Sequence, residues 1–251
     1  MIEKYKFTYT MNAPHQMVLM LKIDDLTKAD LSSLKICFVG GSKVPFYVQT
    51  EMNSILPNGH VHVAYGMSEM AGSVARDFPR LSGKDCVGRL VAGSHAKIID
   101  DQGQRCGVNV NGEICFKMNY RFLGYYGNQK ATDELFDDEG FLMTGDIGHF
   151  DDDGFLFIVD RKKDLLKYTG FHLSPSEIDA YLIQSPCIKS ACVVGIPDGI
   201  ANDSPAAGLM DRIIQRNKFL IWLQITSRTI ANFEVVFILL IHYQQRLQGR
   251  F

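Results

Sequence analysis

Two charged side chains between residues 144 and 164 have the chemistry to hold a polyhydroxylated ligand. Asp146 follows Gly145 shortly after an apolar pair, and an ionised carboxylate has two oxygens that can accept from two neighbouring hydroxyls. The apolar run 155–159 ends at Asp160, and the next residue, Arg161, adds a permanently charged guanidinium. Ordinary turns could use the same residues, so this stretch alone leaves both interpretations open.

A second candidate is a pair of glycines in the segment CFVGGSKVP, where Gly40 and Gly41 end an apolar run and Ser42 follows. Paired glycines let the backbone approach a flat ring or a phosphate closely, with amide groups available to donate. Taken alone the signal is weak, because many turns in α/β proteins have this composition.

A third candidate is the segment AYGMSEMAG, which combines Tyr65, Gly66, Met67, Ser68 and Glu69 at the end of an apolar run. The aromatic face could stack on a base, the hydroxyl could bind a phosphate, and the carboxylate could hold Mg²⁺. Magnesium favours one or two carboxylates together with phosphate oxygens. The alternative is a turn after a strand that carries an incidental acid.

Composition limits the class of protein. The 251 residues include 26 basic and 28 acidic residues, so no net charge indicates nucleic acid or an anionic membrane as a partner. Hydrophobic residues make up 46% and charged residues 22%, which is typical of a globular protein. The N-terminal residues lack the pattern of a signal peptide, and the cysteines lack CxxC spacing, which favours free intracellular thiols over disulfides.

Alternating helices and strands must position these residues. Prolines in a first helical turn predict helices over 14–22 and 45–56, and the apolar runs 35–41 and 60–66 stop at glycine as buried strands do. From residue 94 onward, strands are separated by turns of the pattern Asp-Asp-x-Gly, at 100–103, 137–140 and 151–154. Glycine stands last, where a tight turn often needs a positive φ. Calcium binding is the alternative for these aspartates, but EF-hand spacing is lacking.

A second, smaller domain is predicted after Arg161. Ser174, Pro175 and Glu177 have the spacing of an N-terminal capping box, a helical apolar stripe follows, and SACVVGIPD then has the composition of a strand. The polar run at 160–164 lies between the two regions and is the predicted hinge.

Four ordered motifs resemble a known family. They are GGSKVP, YGMSEMAG, MTGDIGHFDDDGFLFIVDRKKDLLKYTGFHLSPSEID and SACVVGIPD. The chain resembles the adenylate-forming (ANL) superfamily of AMP-dependent synthetases and ligases over residues 1 to about 207. Within that superfamily it is similar to insect acyl-CoA synthetases of the 4-coumarate-CoA-ligase and firefly-luciferase-like type. These enzymes convert a carboxylic acid and ATP to an acyl-adenylate and pyrophosphate, and then pass the acyl group to coenzyme A.

The resemblance implies a fold class and a domain organisation. The expected fold is α/β, with the C-terminal part of the large adenylate-forming domain at 1–160 and a truncated, mobile α+β domain at 161–207. Residues 208–251 match nothing in the family. They contain no apolar run long enough to span a membrane. A gene-model artefact or alternative exon end is favoured over an evolved tail, and disorder of these residues is left open. Many relatives carry a peroxisomal tripeptide, but this chain ends in Gly-Arg-Phe, so the expectation is an intracellular protein without that address.

The resemblance also implies roles for individual residues. Asp146 would bind the ribose hydroxyls, Arg161 would reach the nucleotide, and Asp160 would be the hinge of the small domain. Lys167 and Gly170 would lie on the face presented for thioester formation. The remaining implied roles belong to the adenine pocket (Gly40, Gly41, Ser42, with Tyr65 stacking on the base and Gly66 and Met67 beside it), the α-phosphate (Ser68) and Mg²⁺ (Glu69).

Two expected family elements have no counterpart in the sequence. No segment resembles the family's Ser/Thr/Gly-rich phosphate loop that ends in lysine. The family's late adenylation lysine is also lacking, because Lys218 has no matching context. The expectation is therefore that the 251 residues alone are inactive in adenylation, although ATP, Mg²⁺, coenzyme A and a small carboxylic acid are the implied ligands. The alternative is a non-catalytic remnant or pseudoenzyme that binds nucleotides weakly.

Overall fold

The computed structural model describes residues 1–23, 25–77, 83–120, 122–168, 171–183, 188–199 and 202–211. Gly170 and residues 212–251 of the predicted tail lie outside the described residues. The chain divides into two compact units, the first being Met1–Val159 and the second beginning at Asp160. Among the described residues, no helix combines the length and the apolar character needed to cross a lipid bilayer.

Helices and a mixed sheet open the first unit. The helices are α1 (Ile2–Tyr5), α2 (Pro14–Leu21) and α3 (Phe46–Ile55). The strands, in spatial order, are β1 (Tyr9–Asn12), β2 (Ile36–Gly40), β3 (His60–Met67), β4 (Gly72–Arg76) and β5 (Arg89–Leu90). Strands β1, β2 and β3 are parallel, whereas β4 and β5 join antiparallel. The predicted helices over 14–22 and 45–56 and the predicted strands over 35–41 and 60–66 are confirmed to within a residue or two at each end.

The core of this sheet explains why its strands are apolar. Met17 of α2 and Val48 and Met52 of α3 are completely buried, and they cluster with Cys37 and Val61 of the sheet. Burying these side chains against the strands is the main source of stability for such a layer. Packing therefore fixes the carboxyl ends of β2 and β3 beside each other.

A second sheet, an antiparallel meander, forms the rest of the first unit, except that its last strand ends two residues beyond the boundary at Val159. Its strands, in spatial order, are β6 (Ser94–Ile99), β7 (Gly112–Met118), β8 (Leu142–Phe150) and β9 (Leu156–Arg161), and the short helix α4 (Gln129–Asp133) lies between β7 and β8 in the chain. Ile114, Phe116 and Leu142 of this sheet are buried together with two residues of the first sheet region. These are Met70, which precedes β4, and Val74, which lies within β4. The two sheets of the first unit therefore share a core.

All three Asp-Asp-x-Gly segments are turns of one construction, which confirms the prediction. Asp137 Oδ1 accepts from the backbone N–H groups of Glu139 and Phe141, at 3.0 and 2.8 Å, and Gly140 has φ +76°. The same contacts recur at Asp100 and Asp151. The first aspartate of each turn thus substitutes for a backbone acceptor, as an Asx turn does.

Two of these turns are also braced by a lysine. Lys97 Nζ lies 2.6 Å from Asp137 Oδ2 and 2.8 Å from Glu139 Oε1, and 4.6 Å from the centroid of the Phe141 ring. Lys84 repeats the arrangement with Asp151, Asp153 and Phe155. The side chain of Lys97 is 9% exposed, whereas that of Lys84 is 38% exposed. The bracing lysine is therefore largely buried at the 137–140 turn and partly exposed to solvent at the 151–154 turn.

The second unit is a small α+β structure. Its described elements are β10 (Leu166–Tyr168), β11 (Phe171–Leu173), α5 (Pro175–Ile183), β12 (Ile188–Asp198) and β13 (Asn202–Asp211), with the sheet order β11-β10-β13-β12. The predicted cap of α5 is confirmed, because the Glu177 N–H donates to Ser174 Oγ at 3.2 Å. β13 pairs with β12 as far as Asp211, so the strand includes residues 208–211. The sequence prediction had assigned these four residues to the tail, outside the family fold.

Candidate functional site

Tyr65 and Asp146 meet in the first unit. Tyr65 lies near the end of β3, Asp146 lies within β8, and the tyrosine hydroxyl donates to Asp146 Oδ2 at 2.5 Å. The Tyr65 ring is 5.9 Å from that of Phe116, which belongs to the shared core. Two of the residues predicted to contact a nucleotide are therefore direct partners, although 81 positions separate them in the chain.

The strand around Asp146 is irregular, and hydrogen bonds fix its course. The Asp146 N–H donates to Thr144 Oγ1 at 3.0 Å, and the Thr144 hydroxyl donates to the Ile114 carbonyl at 2.7 Å. Gly145 has φ +70° and donates its N–H to Glu113 Oε1. A positive φ favours glycine, so Gly145 forms a kink in β8 that orients the carboxylate of Asp146.

The glycine-rich segments have partly structural explanations. A Cβ on Gly40 would lie 2.4 Å from the Ala64 carbonyl oxygen, and one on Gly66 would lie 2.1 Å from that of Gly72. Both glycines are therefore required by a neighbouring strand, before any ligand is considered. Gly41, with φ +94°, has open space where a Cβ would stand, and Ser42 is exposed. Met67 is partly buried against the core and has a packing role.

Ser68 and Glu69 lie in a 3₁₀ turn, Ser68–Met70, directly after β3. Ser68 is exposed, and Ala71 closes the turn with φ +50° and an N–H bond of 3.0 Å to the Ser68 carbonyl. A left-handed alanine is uncommon and costs free energy, so the surrounding structure must hold it.

Two tyrosines outside the predicted site residues hold this turn. The Tyr120 hydroxyl donates to the Met70 carbonyl, and the Tyr125 hydroxyl donates to Glu69 Oε1 at 2.6 Å. The hydrogen bond to Glu69, with smaller contributions from burial and from the Glu69 charge, raises the pKa of Tyr125 to about 12. The available signal was the aromatic segment that follows β7, but its contact with Glu69 spans 56 residues.

The donor set around Glu69 fits a metal that arrives with phosphates. Among the described residues, no three His, Cys, Asp or Glu side chains come together to form a metal site of their own. Mg²⁺ does not require such a group, because it keeps water and phosphate oxygens and takes one or two carboxylates from the protein. The single carboxylate of Glu69, next to the exposed Ser68 hydroxyl, matches this mode of coordination.

Asp160, Arg161 and Lys167 belong to the second unit. Asp160 Oδ2 accepts from the hydroxyls of Ser174 and Ser176, at 2.6 and 2.9 Å. Burial opposes ionisation of Asp160, but these hydrogen bonds and one from the Arg161 N–H outweigh it and lower its pKa. Arg161 and Lys167 have exposed side chains.

An open cleft adjoins Asp160 in the second unit. Its volume is about 400 Å³, and Asp160, Asp164, Ser176, Asp179 and the 193–195 segment of β12 contribute to its lining. Burial raises the pKa of Asp179, with a further increase from the Asp160 charge. The cleft is therefore acidic, and one of its carboxylates is tied to the cap of α5.

The chain belongs to the AMP-binding enzyme family, whose profile matches residues 1–126. A probable 4-coumarate–CoA ligase 1 of Dictyostelium discoideum is 37% identical over 207 residues, which cover 82% of this chain and 38% of that protein. A 4-coumarate–CoA ligase 1 of Narcissus pseudonarcissus is 36% identical, with 82% and 39% covered. The chain thus spans well under half the length of these relatives, and the resemblance to the adenylate-forming superfamily is confirmed.

Solved structures confirm the fold class. An amide bond synthetase from Marinactinospora thermotolerans superimposes with a TM-score of 0.82 at 22% identity, covering 94% of this chain and 49% of that one. An anthranilate CoA ligase in complex with anthranoyl-AMP gives a TM-score of 0.81 at 23% identity, covering 97% and 48%. The α/β architecture is therefore that of about half an adenylate-forming enzyme.

Proposed function

We propose that this chain supplies the nucleoside-binding part of an ATP-dependent acid–thiol ligase. The reaction would join a small carboxylic acid to ATP as an acyl-adenylate, release pyrophosphate, and transfer the acyl group to the thiol of coenzyme A. The observation that carries the proposal is the pairing of Tyr65 with Asp146, next to a turn that bears Ser68 and Glu69. The ring of Tyr65 matches the adenine base, and the two oxygens of the Asp146 carboxylate match the ribose hydroxyls. The hydroxyl of Ser68 matches the phosphate of adenosine monophosphate.

Each residue of the first unit would contact one part of the nucleotide. Asp146 would accept from the ribose hydroxyls, which would share or replace the hydrogen bond from Tyr65. The Tyr65 ring would stack on adenine, in a pocket lined by the Gly40-Gly41-Ser42 segment. Ser68 would approach the α-phosphate, and Glu69 would hold Mg²⁺, whose charge would stabilise the phosphates during transfer.

The second unit would serve the later step. Arg161 would reach the nucleotide, Asp160 would act as the hinge residue, and Lys167 would lie on the face used for thioester formation. Movement of the second unit about Asp160 would separate adenylation from thiol attack, because the enzyme must handle pyrophosphate in one step and coenzyme A in the next.

A chimera tests this proposal. Residues 1–207 would replace the matching segment of the Dictyostelium relative, which is 37% identical. Exchange of labelled pyrophosphate into ATP with a panel of aromatic and aliphatic acids reports adenylation, and release of AMP with coenzyme A reports the full reaction. Acid-dependent exchange is expected. A folded chimera that binds ATP but exchanges with none of the acids contradicts a catalytic role and favours the nucleotide-binding remnant.

The second candidate, a non-catalytic protein that binds nucleotides, has its own expected signature. No part of the 251 residues resembles the Ser/Thr/Gly-rich phosphate loop of the family. A protein consisting of these residues alone would keep base and ribose contacts without most of the triphosphate contacts. Weak AMP binding without turnover is its expected signature.

A further inference from the structure

Tyr125 has the geometry of a positioning residue for Glu69. Its hydroxyl donates to Glu69 Oε1 at 2.6 Å, from a loop that follows β7 and lies far from the Ser68–Met70 turn in the chain. A carboxylate has two oxygens, so a donor on one of them leaves the group able to ligate a cation through the other. A hydroxyl is also neutral, unlike lysine or arginine, and does not cancel the carboxylate charge that a cation needs.

The loop that presents this hydroxyl is itself tightly held. The Tyr125 N–H donates to Thr132 Oγ1 at 2.8 Å, and the Thr132 hydroxyl donates to the Asn128 carbonyl at 3.0 Å. Gly124 has φ +116°, and a Cβ there would lie 2.8 Å from Thr132 Cγ2. Phe122 packs its ring at 5.3 Å from that of Tyr125 in an edge-on contact. The hydroxyl therefore has a defined position before any ligand binds.

We propose that Tyr125 fixes the Glu69 carboxylate in the orientation that receives the divalent cation of a metal–nucleotide complex. This inference rests on the proposed function, in which Glu69 holds Mg²⁺. Tyr125 acts through Glu69 and touches neither phosphate nor metal.

Water-proton relaxation by Mn²⁺ tests the assignment on the full chain. Mn²⁺ replaces Mg²⁺ as the paramagnetic probe, and ATP at millimolar concentration forms the ternary complex. Tyr125→Phe is expected to weaken binding of Mn²⁺·ATP about tenfold, the loss that follows from removing one hydrogen bond to a charged acceptor. Tyr126→Phe is the matched control, because it deletes the same hydroxyl one residue away on a side chain that is fully exposed.

A second readout separates positioning from a general structural role. Metal-free AMP binding, followed by ligand-observed NMR, uses base and ribose contacts and should be unchanged in Tyr125→Phe. Loss of AMP binding together with Mn²⁺·ATP binding would mean that the variant disturbs the whole site, and would overturn the inference.

Glu69→Gln distinguishes failure of this inference from failure of the proposed function. If Glu69→Gln weakens Mn²⁺·ATP binding and Tyr125→Phe does not, the positioning role is wrong and the metal role of Glu69 stands. If Glu69→Gln binds Mn²⁺·ATP like the wild type, the metal role proposed for Glu69 fails and this inference fails with it.

Discussion

Tyr65 and Asp146 join the two sheets of the first unit through one side-chain hydrogen bond of 2.5 Å. The pair lies where the shared core reaches the end of β3, so it links the packing of the domain to the residues proposed for nucleoside binding. A ligand with neighbouring hydroxyls would meet a carboxylate that is already oriented.

Tyr65→Phe should destabilise the first unit by about 1–2 kcal/mol, because a partly buried carboxylate loses a charge-assisted hydrogen bond. Urea unfolding followed by circular dichroism measures the change. Tyr47→Phe, at an exposed site on α3, is the control and should stay within about 0.5 kcal/mol of the wild type. Equal stability of the two variants would show that the Tyr65–Asp146 bond contributes nothing.

The 251-residue chain alone should bind ATP only weakly. Its candidate residues are proposed to contact base and ribose, whereas the triphosphate contacts that the family resemblance implies come largely from a phosphate loop that this sequence does not contain. Isothermal titration calorimetry is the measurement, and AMP should bind about as well as ATP. A low-micromolar dissociation constant for ATP would contradict this expectation.

In the chimera, Asp146→Ala should reduce pyrophosphate exchange far more than Lys167→Ala. Loss of two accepted ribose hydrogen bonds corresponds to about 100-fold or more in rate. Lys167 is expected to act after adenylation, so its variant should instead slow thioester formation. Comparable losses of pyrophosphate exchange in the two variants would contradict the division of roles.

Lys97→Met should lower the free energy of unfolding by about 2 kcal/mol, because Asp137 loses its cation in a largely buried position. Lys84→Met removes the same kind of brace at the exposed turn and should cost less, since solvent screens surface ion pairs. Parallel urea titrations compare the two. A larger loss for Lys84→Met would mean that burial does not set the strength of the brace.

Ser176→Ala should raise the pKa of Asp160, because it removes a hydroxyl that donates to the ionised carboxylate. A carboxyl whose pKa is lower when folded stabilises the fold above its unfolded pKa, about 3.9. That stability is lost as the pH falls through the folded pKa. The variant should therefore weaken at a higher pH during acid titration.

Carbon-13 NMR of the Asp160 carboxyl follows this titration directly. Ser54→Ala, which removes a hydroxyl bonded to the Glu51 carbonyl, is the control. An unchanged Asp160 titration in Ser176→Ala would show that the serine hydroxyl does not support the ionised form.

Local signals in the sequence predicted the local structure well. Pro14 marks the first turn of α2, Ser174 caps α5, and each Asp-Asp-x-Gly segment forms the expected turn. These features depend on residues within a few positions of each other, so their physical causes are visible in a short stretch. The family motifs extended the prediction to the fold class.

Contacts between distant segments could not be predicted in the same way. Nothing near Glu69 in the sequence indicates that Tyr125 donates to it, and the hydrogen bond between Tyr65 and Asp146 depends on how two sheets share a core. Gly40 looked like a ligand-facing residue, but the crowding that requires it comes from the neighbouring strand at Ala64. Such requirements arise only once the chain has packed.

The contacts of Lys97 with Asp137 and Glu139 also lower the nucleophilicity of the Lys97 amine. An amine attacks an electrophile only when it is unprotonated and reachable. Burial opposes the charged form of Lys97, but its hydrogen bonds to Asp137 and Glu139 outweigh that effect and raise its pKa, while the surrounding side chains cover the nitrogen. The turn at 137–140 therefore shields the amine of Lys97 from electrophiles in solution, whereas the side chain of Lys167 is exposed to them.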